Sequence, residues 1–332
     1  MVTATTVALL SLALGSQAHT TAWTKGMYCR WGWSHEPVVA SRVAAIPVWN
    51  ETYDGWWMNG RCKDYPPPPG DFLEVPANGQ FTAELAENSA FTWVSFEGRL
   101  RTAWGDGKHH PDNYSVDNLG GARPSSIGCI GSPNLHCKRE RDAAGTVFAI
   151  AYKNDISNIS MEELVVFTVA PHSPYRLLTT YEVPDLPSCP EGGCICVWGW
   201  VPNHCGQANV YFHPHRCIVT GARPEARRPV PARPPVWCEG ESDKCLRGPK
   251  QLVIAHQFEG NNVQISGRQA DGLWKSPGYN MKMGFHPGAQ HDIFDDPYEF
   301  TDLPAPSTPD DLVLAGDEPQ AVFEPHVHNE LR

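Results

Sequence analysis

The residue best placed to do chemistry in this sequence is a histidine whose reactivity depends on where the chain is cut. Val7 to Leu14 form a short, almost unbroken apolar run, and Ser16-Gln17-Ala18 then sets small residues three and one positions before His19. The pattern reads as an export signal spanning 1–18 and cleaved after Ala18, with an apolar run too short to cross a bilayer. Cleavage makes His19 the first residue of the mature chain. A terminal histidine offers two nitrogens, its α-amine and its ring, which close a chelate ring on one metal ion. The amine has an ordinary pKa of about 8, so a metal displaces its proton at mild pH. One more imidazole from elsewhere completes a T of three nitrogens. That planar donor set favours copper(II) and leaves positions open for an oxygen species.

Longer motifs then give the histidine a context. The run His19-Thr20-Thr21-Ala22-Trp23-Thr24-Lys25-Gly26-Met27-Tyr28 resembles the mature start of auxiliary activity family 14, a fungal group of lytic polysaccharide monooxygenases. Trp56-Trp57, Asp64-Tyr65-Pro66-Pro67, Gly70-Asp71-Phe72-Leu73-Glu74-Val75-Pro76 and Ala151-Tyr152-Lys153-Asn154-Asp155 extend the resemblance. Its richest stretch is Pro190-Glu191-Gly192-Gly193-Cys194-Ile195-Cys196-Val197-Trp198-Gly199-Trp200, and Gly284-Phe285 and Gly288-Ala289-Gln290 carry it to about residue 295.

The resemblance implies an immunoglobulin-like or fibronectin-III-like β-sandwich with long disulfide-stapled loops and one mononuclear copper ion. Matched by position, the second copper histidine is His110, inside Trp104-Gly105-Asp106-Gly107-Lys108-His109-His110-Pro111, with His109 and His136 as alternatives. Tyr211 matches the axial tyrosine. Asn209 lies two residues earlier, hence on the same face of a strand, where related enzymes keep a glutamine that hydrogen-bonds the oxygen species. The implied reaction is oxidative cleavage of glycosidic bonds in polysaccharide, with xylan associated with cellulose as substrate. Electrons come from a small-molecule or protein donor, and hydrogen peroxide or dioxygen is the co-substrate. Trp31 and Trp33 flank a glycine soon after the terminal strand and are the candidate sugar-stacking residues. His213 and His215 continue the Tyr211 face and are expected at the rim or surface, with Pro214 bending or ending the strand.

Such a site must be held by loops and strands, and the chain supplies both. The 31 prolines and 29 glycines argue for many turns and few long helices. Six segments alternate with period two: Gln80 to Leu85, Phe91 to Phe96, Thr146 to Tyr152, Leu164 to Val169, Leu177 to Val183 and Ala208 to Val219. Their spacing predicts an all-β sandwich. Gly221 to Pro235, within a Pro/Arg-rich strap over 219–237, is expected to lie extended along a body that runs from 19 to 295. The acidic, proline-interrupted 296–332 is expected to be a flexible tail, with His326 and His328 in it.

Eleven cysteines, all after position 18, suit an oxidising, secreted location, and their odd number leaves at least one thiol without an intramolecular partner. Short loops suggest Cys129 with Cys137, Cys238 with Cys245, and Cys29 with Cys62. The sequons at Asn50, Asn113 and Asn158 point to glycosylation. A net charge of −11 without a basic cluster argues against nucleic acid and anionic membranes as partners. The alternative to the enzyme is a non-catalytic copper-binding or cell-wall-associated secreted protein on the same scaffold. A glycoside hydrolase is disfavoured because no acidic pair stands out as acid and base.

Overall fold

The structure is a computed structural model that describes residues 19–121, 128–203, 205 and 209–294. The expected export signal, the tail and both of its histidines lie outside the described residues. All described residues belong to one compact unit.

Nine strands form two sheets. The smaller has the order β1-β3-β6, with β1 at Thr21–Trp23, β3 at Gln80–Ala86 and β6 at Leu178–Glu182, all antiparallel. The larger has the order β2-β8-β7-β4-β5-β9, from Leu73–Pro76, Tyr211–Thr220, Cys194–Trp200, Thr146–Ala151, Val165–Ala170 and Gly288–Ala289 respectively. Only the β2–β8 pair is parallel. The expected all-β sandwich is what the chain forms. One helix of four residues, Tyr53–Trp56, and short 3₁₀ turns complete it. Among the described residues no helix is long and apolar enough to cross a membrane.

The two sheets are buried differently, and this explains which strands the sequence revealed. Phe81, Leu85 and Tyr181 of the small sheet pack on Phe148, Phe167, Trp198 and Trp200 of the large one. The far face of the large sheet is covered too, because Ile195, Val197 and Phe212 meet Trp56, Trp57, Leu252 and Phe285 from long loops. β7 is therefore buried at every position, and its sequence shows no polar alternation. Gly199 is needed there, since a Cβ would come within 2.5 Å of Leu252. β6 has one wet face, so its alternation was legible.

Several expectations are corrected. Phe91–Phe96 is not a strand; it turns through 3₁₀ segments at Ser89–Phe91 and Phe96–Gly98, because Thr92 and Ser95 are spent on side-chain bonds to the backbone of Ser89 and Ser41. β8 runs straight through Pro214. The Pro214 carbonyl accepts from Tyr28 N–H, so the position where an amide is missing faces away from β7 and breaks no bond of that ladder. His213 and His215 are buried rather than at the rim, 2% and 0% exposed.

Five disulfides are present. Cys29–Cys62 and Cys238–Cys245 match expectation, and Cys189–Cys194 and Cys196–Cys217 staple β7 to its surroundings. Cys129 pairs with Cys205, not with Cys137, which remains a buried free thiol. The strap lies along the body, with Val230 and Ala232 amides donating to the carbonyls of Ile293 and Glu162. Asn50, Asn113 and Asn158 are all exposed.

Candidate metal centre

His19 stands just before β1, half-buried at the end of the small sheet, and Tyr211 opens β8 in the large one. The two meet. His19 Nδ1 lies 3.1 Å from the Tyr211 hydroxyl. Burial raises the phenol's pKa and lowers that of the imidazole, which favours the neutral form of both. The same phenol oxygen accepts from the Thr20 backbone amide and from the Asn209 side chain. Asn209 is 2% exposed, on the Tyr211 face as its two-residue spacing requires. Trp200 stacks on the Tyr211 ring at 4.7 Å and 24°, which fixes the ring plane. Three of the four residues expected to act together, His19, Tyr211 and Asn209, therefore converge.

His110 sits in a loop that reaches the same end of the molecule. β1 and β3 pair Thr21 with Ala86, and one more antiparallel step sets Thr20 opposite Glu87. The Glu87 amide donates to the Gly105 carbonyl, which ties the 104–111 loop to that strand end. Within the loop, His110 Nε2 donates to Asp106 at 2.9 Å, and Ser132 and the Lys108 amide also donate to this carboxylate. The His110 ring lies against Tyr114 and Trp104, with 9% of its side chain exposed. A carboxylate holding one ring nitrogen is the usual way a ligating histidine is oriented. Here it leaves Nδ1 as the nitrogen open to a metal. No hydrogen bond or ring contact joins His110 to the His19–Tyr211 pair among the described residues. His109 is exposed.

His136 is the second imidazole nearby. Its Nδ1 bonds the Cys205 carbonyl, its ring stands edge-on to Trp200 at 5.5 Å, and its Nε2 is buried with no hydrogen-bond partner. Burial above all, against the pull of the Cys205 carbonyl and with a smaller push from neighbouring His19, brings its pKa down to about 4. Its backbone is left-handed, at φ 48°, the kind of outlier that packing must enforce. The Cys129–Cys205 bridge supplies that packing. Sequence reasoning ranked His136 behind His110 because nothing local marks it; only the unforeseen disulfide brings Cys205 to its ring.

Glu87 is the group sequence reasoning missed. It neighbours both Tyr211 and Asp106 electrically, and burial pushes its carboxyl up to about 7, against the pull of the Asn134 amide that donates to it. A lone glutamate after a strand carries no sequence signal.

Among the described residues no three His, Cys, Asp or Glu side chains cluster as a metal site would require. A histidine brace would need no such cluster, because two of its three nitrogens would come from one terminal histidine and the third from a single further imidazole. Trp33 is 60% exposed under Arg61, and Trp31 is half-buried under Arg30.

Residues 1–322 match the family model described as lytic polysaccharide monooxygenase AA14. The chain is similar to AA14 family lytic polysaccharide monooxygenase B of Talaromyces rugulosus, 33% identical over 84% of this chain and 94% of that protein. It is also similar to AA14 family lytic polysaccharide monooxygenase A of Trametes coccinea, 31% identical over 86% of this chain and 63% of that protein. A third relative, the B enzyme of Pycnoporus cinnabarinus, is 33% identical over 79% of this chain and 66% of its own length.

Proposed function

This chain belongs to the AA14 family of lytic polysaccharide monooxygenases, oxidoreductases that cleave polysaccharide oxidatively, and from that premise we propose a copper enzyme whose metal is held by His19. The observation that carries the reading is the meeting of His19 Nδ1 with the Tyr211 hydroxyl, across two sheets and a separation of 192 residues. In this reading the mature protein is secreted, and removal of 1–18 frees the α-amine of His19 as a second donor beside its ring. His110 would supply the remaining imidazole, and Tyr211 would stand beside the ion with its phenol oxygen. When bound there, copper supplies reversible one-electron chemistry through which hydrogen peroxide or dioxygen oxidises a C–H bond of the sugar.

The chain's own residues set the conditions for that step. Tyr211 blocks one approach, and the stacked Trp200 keeps it from swinging away. Asn209 holds the phenol oxygen and would keep its remaining amide capacity for an oxygen of the co-substrate. Asp106 orients the His110 ring. Glu87, protonated near neutral pH, is a proton reserve beside the site. The substrate is xylan associated with cellulose, and the donor is a small reductant or a redox protein.

A specific observation favours His136 as the other imidazole: its unpartnered, buried Nε2 close enough to His19 to feel its charge. Comparing His110→Ala with His136→Ala by copper calorimetry separates the two. The true ligand's loss weakens binding by well over a hundredfold, whereas loss of a supporting residue costs roughly ten- to a hundredfold.

The function itself is tested on mature protein starting at His19, set beside the same chain extended by one alanine. Tight one-to-one copper with a nitrogen-rich electron paramagnetic resonance spectrum, lost on extension, together with oxidised products from xylan-coated cellulose, is the expected result. Equal binding by both forms overturns the brace. A brace without products leaves the non-catalytic copper-binding alternative.

A further inference from the structure

The outward face of the small sheet carries a groove of about 750 Å3, and of the two tryptophans expected to stack on sugar it takes in Trp31. Trp23 and Glu84, cross-strand partners on β1 and β3, line it with Arg30, Trp31, Trp93 and Arg101. Two of its tryptophans are braced by guanidinium groups: Arg30 lies 4.5 Å from the Trp31 ring centre and Arg101 4.8 Å from that of Trp93. Trp93 nonetheless stays 62% exposed. The loop that presents it needs Gly98, where a Cβ would come within 2.6 Å of the indole. Trp93 thus presents a fixed, flat aromatic face to solvent within the groove.

Both guanidinium groups of the groove have a carboxylate partner, and its other charged lining residues, Lys25 and Glu74, are of opposite sign. Arg30 pairs with Asp71 and Arg101 with Glu84, each at 2.5 Å. The lining therefore offers flat aromatic surface and hydrogen-bonding groups while asking for no net charge. That chemistry suits a neutral polyhydroxylated chain better than an anion or a purely apolar ligand. Position points the same way. β1, whose Trp23 lines the groove, begins two residues after His19.

We propose that this groove is a second carbohydrate site, holding a neutral polysaccharide on Trp31 and Trp93 while a neighbouring stretch of the same fibre lies at His19. The proposal rests on the polysaccharide reading above and adds the residues that anchor the substrate. Trp33, which Arg61 covers from a different position, is outside the groove.

The test uses the metal-free mature protein with two probes, xylohexaose in calorimetry and xylan-coated cellulose in retention assays. Trp93→Ala and Trp31→Ala should each weaken binding roughly five- to tenfold, the scale of one aromatic contact. Trp274→Ala, equally exposed but elsewhere, should change nothing, and copper affinity should be the same in all three. Trp93→Phe should recover part of the loss, which a folding defect in the alanine variant would not explain. Wild-type binding by the Trp31→Ala/Trp93→Ala double variant overturns the proposal. Tryptophan-dependent binding without oxidised products from the wild type would instead overturn the monooxygenase reading and leave the groove standing.

Discussion

The two sheets meet at the candidate metal centre but bring very different resources to it. Tyr211 belongs to the large sheet, whose central strands are buried at every position and stapled by Cys196–Cys217. His19 immediately precedes the small sheet, whose β1 has only three residues and whose β6 leaves Leu178 56% exposed. One partner is fixed by the core, and the other hangs from a short strand held by a single neighbour, β3. The lesson is that the centre's geometry is set from the Tyr211 side, and the terminal histidine is brought to it.

Acid should strain this contrast most. His213 and His215 on β8, and His136 against Trp200, are all buried on the large-sheet side, with pKa values brought down by burial to about 3, 4 and 4. Each folded-state value lies below the unfolded value of 6.5, so the stability they secure is complete above pH 6.5. It is lost as pH falls toward the folded values, at about 1.4 kcal/mol per pH unit for each histidine kept neutral. Glu87 works in reverse: raised to about 7 from 4.5, it contributes below pH 4.5 and loses that contribution as pH rises to 7. Chemical denaturation of metal-free protein between pH 7 and 4.5 should therefore show falling stability. Glu87→Gln should steepen the fall; a flat profile would contradict the buried neutral histidines.

Trp200→Ala comes next. It empties a fully buried site under Tyr211 and should cost about 3–5 kcal/mol in urea unfolding. It should also broaden the copper spectrum as the phenol loses its stacking partner. Tyr211→Phe keeps the ring but removes the oxygen that serves Thr20, Asn209 and His19. A stability loss of about 1–2 kcal/mol is expected, with a shifted copper spectrum and a copper affinity reduced less than by loss of an imidazole. Leu178→Ala, on the wet face of β6, should change stability by less than about 0.5 kcal/mol. A large loss there would mean the small sheet is not the weaker partner.

The same asymmetry decided what could be read from the sequence. β3, β4, β5, β6 and β8 announced themselves by alternation or by runs of branched residues. β7 did not, because loops cover its second face and erase the polar signal. Of the centre, the His19, Tyr211 and Asn209 set was legible, since two of them sit two apart on one strand and the first stands at a cleavage pattern. Glu87 and the setting of His136 were not. Each depends on a contact between distant segments, the β3 end with the 104–111 loop and the Cys129–Cys205 bridge, that no local pattern encodes. The supposed Cys129–Cys137 pair failed for the same reason: short spacing favours a bond only when the fold does not offer a better partner.

The hydrogen bond from the Thr20 amide to Tyr211 has one more consequence. Thr20, Thr21, Ala22 and Trp23 are all buried, and the first peptide group after His19 is itself clamped. An exopeptidase needs several residues of slack chain to seat a substrate, and this terminus offers one. In the proposed mature form, which begins at His19, the same tyrosine that faces this residue would guard it from trimming, and the protein should keep its first residue through long exposure to aminopeptidases.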